Sequence, residues 1–296
     1  MHHLPVLLRE VLECLPLRSG ATVVDATLGL GGHAAHMLRK IGNEGKLFGF
    51  EWDARNRAIA QKRLEGFPNI TIIPHPFSHL KRELQNREVR TVDAFLFDLG
   101  ISSAHLDDAQ RGFSYRFDAP LDLRMNTTLV KTAADILAES PEEEIADIFF
   151  TYGEERGARA LAKAVCEARK MSPISTTMQL FSVIESVHPK TPKKTASRVF
   201  QALRIVVNNE FEEIRQALPQ ACDMLSVGGR IAVISFHSLE DRIVKNIFRE
   251  KHMFRDKNGK KVWQRVNKHV IIPSETEIAE NPRARSAKLR ILEKIS

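Results

Sequence analysis

Acidic side chains occur at three points in the first hundred residues where a short apolar stretch ends. These residues are Asp25, Glu51 and Asp98. Ligands of open parallel sheets bind beyond the carboxyl ends of the strands, so we expect the three carboxylates to line one crevice. A carboxylate about twenty residues beyond a glycine-rich turn can accept hydrogen bonds from both ribose hydroxyls of an adenosine, and Glu51 has that spacing. The acids therefore predict a nucleoside-containing cofactor.

A glycine-dense turn, Asp25-Ala-Thr-Leu-Gly-Leu-Gly-Gly-His33, separates the first of these stretches from a helical pattern. Its Gly29-x-Gly31-x-x-Ala34 spacing also satisfies a relaxed dinucleotide fingerprint, so the turn alone does not distinguish NAD from S-adenosylmethionine. A pyrophosphate favours helix amides without a nearby acid, whereas a sulfonium tolerates carboxylates around it. Asp25 and Asp98 therefore favour the sulfonium cofactor.

Two further motifs could carry the chemistry on a substrate. The stretch Asp98-Leu-Gly-Ile-Ser-Ser103 places a carboxylate, a glycine and two hydroxyls at one strand end, or is simply a turn. In Ser235-Phe-His-Ser-Leu-Glu-Asp-Arg242, Ser238 is predicted to cap a helix with Asp241 at its third position. His237 would then project toward the crevice, with a buried structural histidine as the alternative.

The order of predicted elements indicates an α/β fold with a parallel sheet and right-handed crossovers. Strands and helices alternate up to residue 98, and strand character resumes only at Gly229–Ser235. The region between is helical. It is predicted to contain a helix capped by Ser140 and one long helix carrying Val199, Leu203, Val206, Ile214 and Leu218. We therefore expect residues 1–107 and 206–296 to form one domain and 108–205 an inserted all-helical domain for substrate recognition.

The charge of the chain suggests a polyanionic partner. Lys and Arg total 44 against 37 acids, a formal net charge of +7. In the strongly basic segment 245–268, Phe254 and Trp263 alternate with lysines, which is typical of nucleic-acid contact but equally of a solvated hairpin turning at 256–260. A further basic patch comprises Lys190, Lys193, Lys194, Arg198 and Arg204.

Other features limit the remaining classes of protein. The cysteines Cys14, Cys166 and Cys222 are scattered, which indicates buried thiols in a reducing compartment. No apolar run is long enough for a membrane span or a signal peptide, so we expect a cytoplasmic protein. Paired histidines such as His33 with His36, or His75 with His79, lack a third ligand type, and no metal site is predicted.

Seven motifs in one order resemble the MraW/RsmH family, the cytosine-N4 methyltransferases of small-subunit (16S) ribosomal RNA. They are His3-x-Pro-Val-Leu-Leu8, Asp25–His33, Asp98–Ser103, Arg111-Gly-Phe-Ser114, Thr151-Tyr-Gly-Glu-Glu-Arg156, Ser235–Arg242 and Glu280-Asn-Pro-Arg-Ala-Arg-Ser286. The resemblance implies a class I, Rossmann-like methyltransferase fold with a helical insertion, S-adenosylmethionine as cofactor, and a target near the decoding region. It implies cofactor contacts at Gly31, Gly32, His33, Glu51, Phe77, Asp98 and His105. The family more often has Asp at the position of Glu51 and Gln at that of His105.

For such a reaction we expect Asp98, or a carbonyl of the loop after it, to polarise the cytosine amino group, while His237 steers the substrate or removes the proton. Methylation at ring carbon five generally needs a cysteine nucleophile, and no cysteine lies in a strand-end motif. Two other classes of function stay open. One is a nicotinamide-dependent oxidoreductase using the same glycine turn, and the other is a non-catalytic RNA-binding protein.

Overall fold

The computed structural model describes residues 5–296, apart from the side chain of Ser103. His3, part of the first motif, lies outside these residues. The strands are β1 (Thr22–Asp25), β2 (Lys46–Phe50), β3 (Ile70–Ile73), β4 (Val92–Asp98), β5 (Leu225–Ser235), β6 (Trp263–Arg265) and β7 (Lys288–Lys294). The helices are α1 (Leu8–Cys14), α2 (Gly32–Ile41), α3 (Ala54–Arg63), α4 (Leu80–Gln85), α5 (Ser103–Asp107), α6 (Ala133–Glu139), α7 (Glu142–Gly153), α8 (Ala158–Met171), α9 (Thr177–Val187), α10 (Pro192–Asn208), α11 (Glu210–Met224), α12 (Ser238–Met253) and α13 (Glu275–Glu280). Short 3-10 turns lie at Phe77–His79, Ala109–Arg111 and Pro282–Ser286.

The seven strands form one sheet in the order β3-β2-β1-β4-β5-β7-β6. The pairs from β3 to β5 are parallel, and β7 runs antiparallel between β5 and β6. The order reverses between β1 and β4, where Asp25 lies opposite Leu96. This is the switch point at which ligands of open α/β sheets bind, so the parallel sheet expected from the sequence is confirmed.

Alternation along the strands gives the sheet two buried faces. In β4, Phe95 and Phe97 point to one face, and Ala94 and Leu96 point to the other. The first face packs against α4, α11 and α12, and the second packs against α1, α2 and α3. Burial on both faces explains why the central strands are apolar throughout rather than alternating with polar residues.

The chain divides into two compact units. Unit 1 comprises residues 1–100 and 211–296, and unit 2 comprises residues 101–210. Residues 101–107 and 206–210, which the sequence assigns to the methyltransferase part, are therefore grouped with unit 2. Within the described chain, unit 2 contains helices α5 to α10 and a single isolated bridge between Pro120 and Thr176, but no strand.

Two local predictions in this region are wrong. The cap of α7 is Pro141, without a side-chain cap hydrogen bond, so Ser140 does not start that helix. Asn209 has φ of 52° and ends α10, so the predicted long helix is two helices, α10 and α11. A left-handed residue cannot continue an α-helix, but apolar periodicity does not reveal it because the pattern continues on both sides.

Candidate active site

Asp25 and Asp98 are linked by Thr27 at the switch point of the sheet. The Thr27 backbone N–H donates to Asp25 Oδ1 at 3.2 Å, and the Asp98 backbone N–H donates to Thr27 Oγ1 at 2.6 Å. Asp25 is buried, whereas a quarter of the Asp98 side chain stays accessible. The strand ends β1 and β4 therefore carry two neighbouring carboxyl groups, and Asp98 is the one that a ligand can reach.

His33, in the first turn of α2, approaches Asp98 from the other side. Its Nδ1 lies 3.5 Å from Asp98 Oδ2, and its Nε2 lies 3.0 Å from the carbonyl oxygen of Val6. A carbonyl accepts only, so Nε2 carries a proton and donates it. In the neutral ring Nδ1 is then an acceptor directed at the Asp98 carboxyl group.

The pKa values of both aspartates are raised. Burial raises the pKa of Asp98 to about 8, with further increases from the negative charges of Asp25 and Glu240. Burial also raises the pKa of Asp25 to about 7. Asp98 Oδ1 is buried and has no hydrogen-bond partner among residues 5–296. Unpaired buried carboxylates are costly, so this cluster favours a bound cation or a proton.

The glycines of the turn leave little room for a side chain. Gly31 caps α2 with φ of 77°, and a Cβ there would lie 2.9 Å from Leu64 Cδ1. A Cβ on Gly32 would lie 2.9 Å from Pro5 Cγ. No side-chain cap hydrogen bond forms at the N-terminus of α2 within the described chain. Because first-turn N–H groups lack intrahelical acceptors, this end of α2 suits the carboxylate of an amino-acid tail.

Glu51 follows β2 at the same edge of the sheet. It is 8% exposed, and burial raises its pKa to about 8. The backbone N–H of Asp53 donates to its Oε1 at 2.8 Å, and the side-chain amide of Asn56 donates to its Oε2 at 3.3 Å. Each carboxylate oxygen has two lone pairs, so Glu51 retains capacity to accept hydrogen bonds from ribose hydroxyls.

Phe77 and His105, two further sequence candidates, lie in different units. Phe77 begins the 3-10 turn after β3 in unit 1, is half-buried, and contacts Phe97 edge to face at 5.9 Å. His105 lies in unit 2, where its Nδ1 accepts from the Ser102 backbone N–H at 3.2 Å in a capping box for α5. The His105 ring is also tilted against Phe113. This capping role is absent from the sequence reasoning.

The prediction for the Ser235–Arg242 motif is wrong in its capping residue. His237, not Ser238, caps α12, and its Nδ1 accepts from the Glu240 backbone N–H at 3.4 Å. Glu240 Oε2 accepts from the backbone N–H groups of Phe236 and His237 at 2.8 and 3.3 Å. His237 therefore has a structural role at the N-terminus of α12 as well as a position just beyond the carboxyl end of β5.

Glu240 is the residue of this site that the sequence reasoning missed. It is fully buried, its Oε1 lies 3.2 Å from His237 Nε2, and its charge contributes to the raised pKa of Asp98. The signal was the spacing His237-x-x-Glu240, which is that of a capping box with His in place of Ser or Thr. Because Ser is preferred at cap positions, the cap was predicted at Ser238 and this spacing was overlooked.

Two cysteines of unit 1 are held as thiols. Burial raises the pKa of Cys14 and of Cys222 to about 12, so neither supplies a thiolate. No group of three or more potential metal ligands occurs within residues 5–296. In those residues no helix is both long and apolar enough to cross a membrane.

Sheet order, strand-end carboxylates and the glycine turn together define the class of protein. A parallel sheet with an antiparallel β7 inserted beside β5 is the Rossmann-like fold of class I S-adenosylmethionine-dependent methyltransferases. The donor set fits that cofactor, because the unpaired Asp98 suits a cation while Glu51 suits a ribose. The match to the MraW methylase family covers residues 1–295, so the chain belongs to that family, whose methyl donor is S-adenosylmethionine.

Curated relatives carry one name. "Ribosomal RNA small subunit methyltransferase H" of Bacteroides fragilis (strain YCH46) is 42% identical over 99% of this chain and 97% of its own. The protein of that name from Heliobacterium mobile is 43% identical over 99% of both chains. The chain thus aligns with these relatives over nearly their full length.

Solved structures resemble the chain in fold at low sequence identity. The crystal structure of PH0851 is 12% identical with a TM-score of 0.50, over 99% of this chain and 47% of that chain. An rRNA methylase from Streptococcus thermophilus is 14% identical with a TM-score of 0.45, over 98% and 94% of the two chains.

Proposed function

We propose that this chain transfers a methyl group from S-adenosylmethionine to the N4 amino group of a cytosine in small-subunit (16S) ribosomal RNA, near the decoding region. The methyltransferase class follows from the family and the fold. The ribosomal substrate is supported by the name of relatives that align over nearly the full chain. One observation carries the choice of chemistry, and it is the accessible carboxyl of Asp98 beside His33 at the switch point.

The cofactor supplies an electrophilic methyl on a sulfonium. In the proposal, Gly31 and Gly32 position the start of α2 against its amino-acid tail, and Glu51 accepts from the ribose. Phe77 packs against the adenine, and His105 is a further proposed cofactor contact. The part of the chain that forms the helical unit, predicted as 108–205, contributes recognition of the RNA.

Asp98 is the proposed catalytic acceptor. The amino lone pair of cytosine is delocalised into the ring, so the enzyme must hold the nitrogen in line with the methyl and accept its proton. Burial raises the pKa of this carboxyl in the free protein, and the sulfonium of the bound donor favours its ionised form, so that it can accept a proton. His33 Nδ1, 3.5 Å away and directed by the contact with Val6, can accept a hydrogen bond from Asp98 once the carboxyl has taken up the proton, and His237 steers the base or carries the proton away.

The cysteines argue against methylation at ring carbon five. That reaction needs a thiolate that adds to the pyrimidine ring. Cys14 and Cys222 in unit 1 are held as thiols, because burial raises their pKa values to about 12. An attack by the exocyclic nitrogen requires an acceptor and positioning, which Asp98 supplies.

Calorimetry and methyl transfer test the proposal together. We expect purified protein to bind S-adenosylmethionine but not NAD, and to transfer its labelled methyl to small ribosomal subunits that lack the mark. Asp98→Ala should lower turnover at least about 100-fold. Binding of NAD alone would support the oxidoreductase, and RNA binding with no methyl transfer would support a non-catalytic protein.

A further inference from the structure

A basic surface lies outside the crevice, at the edge of the sheet in unit 1. We define the α12–β6 face as the outer side of α12, the turn that follows it and the edge strand β6. Its exposed cations are Lys245, Arg249, Arg255, Lys257, Lys260 and Arg265. We propose that the α12–β6 face is a docking surface for the RNA backbone, which extends the proposed function by a contact outside the reacting crevice.

The cations of this face converge on one another. On α12, Lys245, Arg249 and His252 recur at helical spacing, so they lie along one side. The pKa of His252 is lowered, first by burial and then by the positive charges of Lys261 and Arg265. Such mutual repulsion is unfavourable in the free protein and is relieved by a bound polyanion.

Few acids lie near this face, and two of them have local partners. Asp256 Oδ1 accepts from the backbone N–H groups of Asn258 and Lys260, each at 2.8 Å, which builds the turn. Asp241 is bound by Arg290 at 2.7 Å. Asp256 and Glu250 are the two acids of the segment 245–268 against nine Lys and Arg, so the face keeps an excess of positive charge.

A small surface pocket brings basic side chains together on this face. It is lined by Lys245, Phe248, Arg265, Asn267, Arg290 and Ile291. Arg290 is bound by Asp241, whose charge also acts on Lys245, so Arg265 supplies the least compensated charge of the pocket. Pockets of this kind fix the register of a nucleic-acid backbone without reading its sequence.

An exposed aromatic side chain favours RNA over other polyanions. Phe254 ends α12, is 54% exposed, and is followed directly by Arg255. Trp263 does not serve as the second stacking residue that the sequence suggested. It is 5% exposed, with Lys251 and Lys294 over its ring at 5.6 and 5.7 Å. A solvent-facing ring among cations is the usual means of holding unpaired bases.

The position of the face explains how it would serve the reaction. Helix α12 starts beside His237 at the end of β5 and has 16 residues, so it extends about 24 Å away from the site. Contacts along it add affinity for RNA without touching the reacting atoms. We therefore expect loss of these contacts to raise KM and leave kcat unchanged.

The test compares two charge-matched triple variants by fluorescence anisotropy with a labelled short single-stranded RNA. The docking variant is Lys245→Gln, Lys260→Gln and Arg265→Gln. The control is Lys40→Gln, Lys46→Gln and Lys62→Gln, which removes three exposed lysines of unit 1 elsewhere. The salt slope is the slope of the logarithm of the RNA-binding constant against the logarithm of the salt concentration. For single strands each phosphate contact contributes about 0.7 to its magnitude, so the slope of the docking variant should be smaller by about 2. The control should lose markedly less.

Further measurements separate docking from folding and chemistry. Phe254→Ala should weaken RNA binding about tenfold with an unchanged salt slope. The docking variant should keep the wild-type melting temperature, S-adenosylmethionine affinity and kcat. Equal RNA affinity and equal salt slope in both triple variants would overturn the proposal. It would also be overturned if the docking variant bound anionic lipid vesicles more weakly than wild type but bound RNA equally well. If wild-type protein binds RNA through this face but transfers no methyl, the proposed function fails and the docking surface stands.

Discussion

Binding of S-adenosylmethionine should depend on pH because the Asp98 carboxyl must lose a proton to face a cation. The pKa of Asp98 is raised to about 8 by burial and by the charges of Asp25 and Glu240. A sulfonium beside it favours the ionised form, so binding below that pH releases a proton. One released proton makes the affinity about tenfold weaker for each pH unit below about 8. Affinity should therefore be about 100-fold lower at about pH 6 than on the plateau above about pH 9.

Isothermal titration calorimetry in buffers of different ionisation enthalpy measures both affinity and proton release. Wild-type protein should release close to one proton at about pH 6.5 and none above about pH 9. Two controls are matched to the argument. Asp98→Asn should remove most of the dependence, and S-adenosylhomocysteine, which lacks the sulfonium charge, should show a weaker one. A wild-type affinity that stays constant from about pH 6 to about pH 9 would refute the reasoning about Asp98.

Three other predictions concern Asp98, Glu240 and a pair of glycines. Asp98→Asn should raise Tm by about 5 °C at about pH 9 and by less at about pH 5. The pKa of Asp98 is raised from 3.8 to about 8 on folding, so the ionised carboxyl increasingly destabilises the folded state as the pH rises between these two values. An unchanged Tm in calorimetric scans at both pH values would contradict this. Glu240→Gln keeps a capping-box side chain but removes a charge that raises the pKa of Asp98, so the midpoint of cofactor binding should move to lower pH; a midpoint that stays in place or rises would show that Glu240 does not act on Asp98. Gly112→Ala should destabilise the chain by at least about 2 kcal/mol in urea unfolding, because its φ is 71° and its Cβ would lie 2.2 Å from the Pro120 carbonyl oxygen. Gly259→Ala, with φ of 74° but no atom within 4 Å, should cost about 1 kcal/mol, and equal costs for the two would disprove the steric argument.

The parallel strands β1 to β4 were predictable because their signals are local and strong, whereas β6 and the antiparallel β7 were not predicted. Strands β1 to β4 are short apolar stretches that end in turns or acids, and β4 ends at Asp98, where the predicted alternation of strands and helices also ends. The placement of Asp25 and Asp98 at one edge of the sheet could also be predicted, because the parallel strands of a sheet end on the same side. The link through Thr27 was not predictable, since it depends on the register of β1 against β4.

The site details that sequence reasoning missed depend on single backbone conformations and on burial. Ser238 has the better intrinsic preference for a cap, but the chain enters α12 one residue earlier and His237 takes the cap. Burial of Glu240 beside it follows from the packing of α12, which no local pattern encodes. Trp263 likewise sits in a basic sequence context but packs into the core, because β6 pairs with β7 at Lys294.

The central claim is that the accessible carboxyl at the switch point serves methyl transfer to the amino nitrogen of a ribosomal cytosine. Mass spectrometry of nucleosides from small-subunit RNA tests it most directly, in cells that lack this chain and are complemented with wild-type protein or with Asp98→Ala. We expect N4-methylated cytidine to disappear in the deficient cells, to return with the wild-type chain and to stay absent with Asp98→Ala. An unchanged set of methylated nucleosides in the deficient cells, or loss of a carbon-five methyl instead, would contradict the account.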